Sequence, residues 1–153
     1  MLQFVDKNGE PIESHFTESE FGAWFEHMDS GFLNTLNLFR HRLGYGVSIS
    51  YAEGALGRYG GNSYSRHNIE RWLSLCVADI MPEIHEPDRW IRIAKEVGFT
   101  GIGYYPDWHP RAGLHVDTRY GVHPDSTKVA TWGRIGYRYV SLNKALNKGR
   151  RLL

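Results

Sequence analysis

The alternation and spacing of apolar positions divide this chain into helices toward its first half and extended segments toward its second. In "HFTESEFGAWFEHM", residues 15–28, Phe21, Trp24 and Phe25 form an apolar stripe, and Thr17 and Glu20 have capping-box spacing; a helix is predicted. "SGFLNTLNLFRHRLG" predicts a second, with Phe32, Leu36, Phe39 and Leu43 on one face and Gly44 as its stop. "YGVSISY" alternates like a strand, and the glycine-rich stretch 52–63 has no period and reads as a loop. A short helix over 68–75 is followed by the strand "CVADI". "EPDRWIRIAKEVG" predicts a helix with Pro87 in its first turn, a buried stripe of Trp90, Ile91, Ala94 and Val97, and Gly98 at its end. "TGIGYY" and "GLHVDTR" are extended and joined through "PDWHPRA", a hairpin with a long tip. "KVATWGRIGYRYV" supplies one or two more strands, and residues 141–153 form a basic terminal helix or tail. Helices first, strands later and hairpin-like links predict a single α+β domain over 1–153, with an antiparallel sheet and helices packed on one side.

Composition narrows the partners. A net charge of +1 over 153 residues argues against broad electrostatic binding to nucleic acid, which normally needs a basic face. The single cysteine, Cys76, excludes an internal disulfide and any cysteine-rich zinc site. No run of 18 or more apolar residues occurs, so membrane insertion is not expected. "MLQFVDKNGE" lacks the basic and apolar regions of a signal peptide, which predicts synthesis in the cytoplasm and, for action elsewhere, release by other means. A monomer is expected. The cluster Lys144, Lys148, Arg150 and Arg151 reads as a solvated end.

The chemistry lies with the histidines. Of the eight, His15, His27 and His41 fall at helix boundaries, and His85, His109 and His123 in proline-containing loops. His115 and Asp117 stand two apart on a strand and therefore share a face, opposite Leu114 and Val116. Asp79 lies between Val77 and Ile80, and a carboxylate in so apolar a neighbourhood needs a partner or a metal. With His67 and His115 it makes a set of two histidines and one carboxylate. Three protein ligands with one position left open is how catalytic zinc is held. Spacing alone leaves open whether the three meet or each is a hydrogen-bonded structural residue.

The succession "HFTESEF", "RLG", "VSIS", "SRH", "VADI", "GIGYYP" and "LHVDTR", within a similarity that runs from about residue 15 to residue 133, resembles the zinc D-Ala-D-Ala carboxypeptidase family, and within it the peptidoglycan peptidases of phages and bacteria. The resemblance implies that His67, Asp79 and His115 hold Zn²⁺ on a carboxypeptidase-like fold. It further implies hydrolysis of peptide bonds in peptidoglycan stem peptides or cross-links. Ser65 of "SRH", Tyr105 of "GIGYYP", Arg58 and Trp72 are the candidate substrate contacts.

Two departures shape the reading. Eleven residues, "NIERWLSLCVA", separate His67 from Asp79, a longer excursion than the family's usual spacing, and one that places Trp72 at the cleft rim or in packing. Where relatives read SGYR this chain has "SYAE", so the arginine that would bind a substrate carboxylate is missing there, with Arg58 as a substitute. This favours an endopeptidase of phage endolysin type over a strict carboxypeptidase. The position three before His115, where some members carry an acidic base, is Ala112. Asp117 is the candidate base, the alternative being that it only orients His115; His109 is the candidate for stabilising a developing oxyanion. A rival reading is a non-catalytic phage structural or wall-binding module that retains the fold.

Overall fold

The computed structural model describes residues 3–61, 63–121 and 128–152; His123 and Leu153 lie outside them. A small hairpin, β1 (Phe4–Val5) with β2 (Pro11–Ile12), precedes α1 (Ser30–Leu43). The remaining elements are β3 (Val47–Ile49), α2 (Ile69–Trp72), β4 (Val77–Pro82), α3 (Pro87–Val97), β5 (Gly101–Tyr105), β6 (Gly113–Asp117), β7 (Ala130–Ile135), β8 (Arg138–Val140) and α4 (Leu142–Arg151). β3 to β8 form a six-stranded sheet in the order β3-β4-β6-β5-β7-β8.

The α+β class holds, but the expected antiparallel sheet is mixed, because β5 and β7 run parallel. β5 has already paired with β6 on one side through the predicted hairpin, and β7 returns along its other edge in the same direction. The stretch expected as a first helix is also different. Glu18–His27 forms 3-10 turns broken at Gly22, whose φ of 54° and ψ of −141° no helix accommodates. Its start is held as expected, with the Thr17 amide donating to Glu20 Oε2 at 2.6 Å. α1 follows its sequence pattern: Asp29 accepts from the Phe32 amide, Gly44 ends the helix in the left-handed region, and Phe32, Leu36, Phe39 and Leu43 are buried.

The sheet has two chemically distinct faces. Ala78, Ile80, Leu114, Val116, Ile102 and Tyr104 point into the hydrophobic core. There Trp90 of α3 meets Tyr104 edge-on at 6.1 Å. α4 also closes on this face, and a Cβ at Gly133 would come within 2.3 Å of Ala145 Cβ. The basic end of α4 is tied down by Arg150, whose Nε donates to Asp88 at 3.0 Å, and by Lys148, whose Nζ lies 4.0 Å from Asp107 Oδ2. The opposite face carries Asp79, His115 and Asp117. Among the described residues, no helix is long and apolar enough to cross a membrane.

Because Gly133 sets the α4–sheet distance, Gly133→Ala should destabilise the fold by about 1–3 kcal/mol through overpacking, read from urea unfolding. Metal binding on the opposite face should survive in the folded fraction.

Candidate metal centre

Sheet register builds the site. Asp79 on β4 lies opposite His115 on β6, His115 opposite Gly103 on β5, and Gly103 opposite Trp132 on β7. A Cβ on Gly103 would sit 2.4 Å from Trp132 Nε1, so the glycine is what allows the indole to lie over β5. The indole packs against the His115 ring at 5.0 Å. In the neighbouring row Asp117 faces Gly101, where a Cβ would come within 2.1 Å of Asp117 Oδ1. The two glycines of "GIGYY" thus leave room on one face for a carboxylate and an indole.

His67 arrives from outside the sheet, through the aperiodic loop. The Arg58 amide donates to His67 O at 2.9 Å and the Ile69 amide to Arg58 O at 3.0 Å. The same loop reaches β4, where the Asp79 amide donates to Ala55 O at 2.8 Å. α2, capped by Asn68 and stopped by Leu73 at a φ of 64°, absorbs part of the eleven-residue excursion before β4.

His67 Nε2, His115 Nδ1 and Asp79 Oδ1 form a triangle with every side 3.3 Å. A tetrahedral ion about 2.0–2.1 Å from each donor sets its donors about 3.3–3.4 Å apart. The ring hydrogens are directed elsewhere. His67 Nδ1 lies 2.8 Å from Leu56 O, and His115 Nε2 lies 2.6 Å from Asp117 Oδ2; each partner can only accept. With both rings neutral, each turns a lone pair toward Asp79 Oδ1, which is buried and has no hydrogen-bond partner. Three buried lone pairs facing one point repel unless a cation sits among them, so the residues present fit a metal ion.

Charge around the centre agrees. Burial favours the neutral His115 ring, but the flanking carboxylates of Asp117 and Asp79 outweigh it and push its pKa up to about 9. Burial likewise opposes ionisation of Asp117, yet His115 and Arg119 hold it well below the usual carboxylate range. Asp79 is lowered too, the two histidines overcoming its desolvation.

The triangle opens into a cavity of about 390 Å³. Ser65, Tyr105 and Arg58, the candidate substrate contacts, line it together with Glu53, Trp132, Arg134 and Tyr139, which sequence reasoning passed over. Trp72 is not on that wall; its Nε1 donates to Ser65 O at 2.9 Å and Arg66 stacks on its ring at 4.0 Å. His109, the candidate oxyanion donor, is exposed at the hairpin tip and does not line the cavity. Asp117 faces Nε2 of His115, away from the nitrogen that joins the triangle. Both its oxygens also take hydrogen bonds from Arg119, at 2.8 Å to Oδ2 and 3.0 Å to Oδ1. A second group, Glu13, His15 and His41, is of a different kind: the two rings bond each other directly at 2.9 Å, and Glu13 is exposed.

No known protein family, curated protein or solved structure matches the chain.

Because His115 gives up its proton when an ion binds, the apparent affinity for a transition metal should rise about tenfold per pH unit up to about pH 9 and level off above it. Calorimetry at pH 7.5 in buffers of different ionisation enthalpy should detect about one proton released per ion. Gly101→Ala, which displaces the Asp117 carboxylate, should weaken the metal about 10–100-fold, measured by competition with a chromogenic chelator.

Proposed function

We propose that this protein is a zinc-dependent peptidase that hydrolyses peptide bonds in bacterial peptidoglycan, acting as an endopeptidase of phage endolysin type. The observation that carries the metal is the equilateral 3.3 Å triangle around an unpartnered Asp79 Oδ1, open to a cavity. Two imidazoles and one carboxylate with an open fourth position suit catalytic zinc. The substrate class rests on the resemblance of "SRH", "VADI", "GIGYYP" and "HVDTR" to zinc D-Ala-D-Ala carboxypeptidases.

Bound there, zinc would supply Lewis acidity, lowering the pKa of a water and polarising the scissile carbonyl. The chain does the rest. Asp117 is a positioning residue: fully bonded and strongly acidic, it fixes the His115 tautomer and has no free oxygen to take a proton from the cavity. Glu53 is the cavity-wall carboxylate other than Asp79, and among the described residues it has no ion pair or hydrogen bond. We assign it the role of proton acceptor and donor. Tyr105 Oη accepts from Trp132 Nε1 at 3.0 Å, which leaves its own hydrogen to donate to a substrate oxygen. Burial and the nearby Asp79 raise the Tyr105 pKa, so that hydrogen stays in place.

A groove of about 650 Å³ runs beside the 3-10 segment and shares Ala52, Glu53, Gly54 and Arg58 with the first cavity. Two joined clefts meeting at Glu53 suit a chain that continues past the cut bond, which supports the endopeptidase reading.

Purified protein should carry about one zinc per chain, and His67→Ala or His115→Ala should lose it. The zinc-loaded protein should release new peptide ends from peptidoglycan, identified by mass spectrometry and abolished by chelation. A zinc-saturated sample that binds the wall and releases none would favour a non-catalytic module instead.

Glu53→Gln should keep its zinc and lose about 10²–10⁴-fold in turnover. Asp117→Asn should bind zinc about 10–100-fold more weakly and recover activity in excess zinc. Collapse of the zinc-saturated Asn variant, with Glu53→Gln active, would reverse the two assignments.

A further inference from the structure

Among the described residues, two buried side-chain polar atoms have no partner: Asp79 Oδ1 and Arg134 Nε. Both residues line the same cavity. The first is an acceptor awaiting a cation; the second is a donor awaiting an anion. Arg134 forms no ion pair among the described residues, in contrast to Arg119, which is committed to Asp117.

Arg134 lies two residues beyond Trp132 on β7, so both side chains leave the same face. Trp132 packs on His115, which puts the base of Arg134 about 7 Å further along the strand than the row holding the metal ligands. Tyr139 of β8 stands opposite Arg134, with the guanidinium carbon 5.5 Å from its ring. Tyr139 also lines the cavity. Tyr137 lies 5.9 Å from the same carbon, and among the described residues neither ring accepts a hydrogen bond from Arg134 Nε.

We infer that Arg134, backed by Tyr139, is the subsite for a substrate carboxylate lying one or two residues from the bond cut at the metal centre. A carboxylate meeting the guanidinium side-on takes one hydrogen bond from Nε and one from Nη, which satisfies the orphaned donor and gives a bidentate, charge-assisted pair. Arg58, the substitute that sequence suggests for the arginine missing at "SYAE", is exposed and lacks the buried, unsatisfied nitrogen. This inference rests on the peptidase reading for its substrate, but the anion site can be tested without turnover.

The Nε–H resonance of Arg134, assigned by its loss in Arg134→Lys, should shift on titration with N-acetyl-D-alanine. It should not shift with N-acetyl-D-alaninamide. The titration is run on the protein as purified and again after zinc loading, so that direct binding of carboxylate to zinc is separated from binding at Arg134. With peptides, Arg134→Gln should raise KM about 10–100-fold and leave kcat within a few-fold, while zinc content stays at the wild-type level. Arg134→Lys should recover part of the loss.

A matched set of stem peptides, one with a free C-terminus and one amidated there but keeping its side-chain carboxylate, tells which carboxylate is read. The form whose affinity depends on Arg134 carries it. Equal response to acid and amide, or a loss of affinity in Arg58→Gln but not in Arg134→Gln, overturns the inference. Carboxylate binding at Arg134 without any peptide hydrolysis would leave this site standing and refute the peptidase reading alone.

Discussion

The convergence of three lone pairs on one buried point is the constraint that organises this molecule. His67 Nε2, His115 Nδ1 and Asp79 Oδ1 are held 3.3 Å apart with no hydrogen bond reaching the oxygen. Left to themselves they would turn away or bring in water. They are kept facing by a relay of supports, each needed by the next. Gly101 makes space for Asp117, Arg119 fixes Asp117, Asp117 fixes His115, and the Leu56 carbonyl fixes His67. Every support acts on a nitrogen or oxygen away from the centre, so each sets orientation and none occupies the open side.

A sheet suits such an arrangement because its pleat separates two jobs. Along β4 and β6, one set of alternate residues joins α1, α3 and α4 in a dry core, and the other presents Asp79 and His115 to the cavity, with Asp117 buried behind His115. Rigidity on the first face becomes precision on the second, since cross-strand pairing fixes Asp79 opposite His115 to within the tolerance of a hydrogen-bond ladder. The histidine that does not come from the sheet is anchored to it, because the loop bearing Leu56 also bonds the Asp79 amide.

What was legible in the sequence was local. The two-residue period of "GLHVDTR" put His115 and Asp117 on one face, and the capped, periodic stretches over α1 and α3 showed their ends and buried stripes. The 3-10 break at Gly22 was hidden because apolar spacing records which residues are buried, not whether a glycine leaves the helical region between them. The parallel pairing of β7 with β5 was hidden for another reason: nothing in "KVATWGRIGYRYV" states which edge it joins. Trp132, Arg134 and Tyr139 went unread for that same reason, since their place in the cavity follows from that register. The loop over 52–63 looked featureless, yet its carbonyls and amides are what hold His67.

The arginines of the cavity show how similar residues diverge through their neighbours. Arg66 lies on the Trp72 ring, which bonds the chain beside His67, and so stabilises the wall. Arg119 neutralises Asp117 while resting over Trp132 at 4.9 Å, and so acts on the metal centre through His115. Arg134 has aromatic neighbours and no carboxylate among the described residues, and so keeps its charge for what enters. A cation held by the triangle and the guanidinium of Arg134 would then share one cavity with the Trp132–Tyr105 pair. A neutral peptide would find one of them, at its carbonyl; an anionic peptide of the right register would find both. Selectivity of that kind needs no deep pocket, only the spacing that β7 imposes.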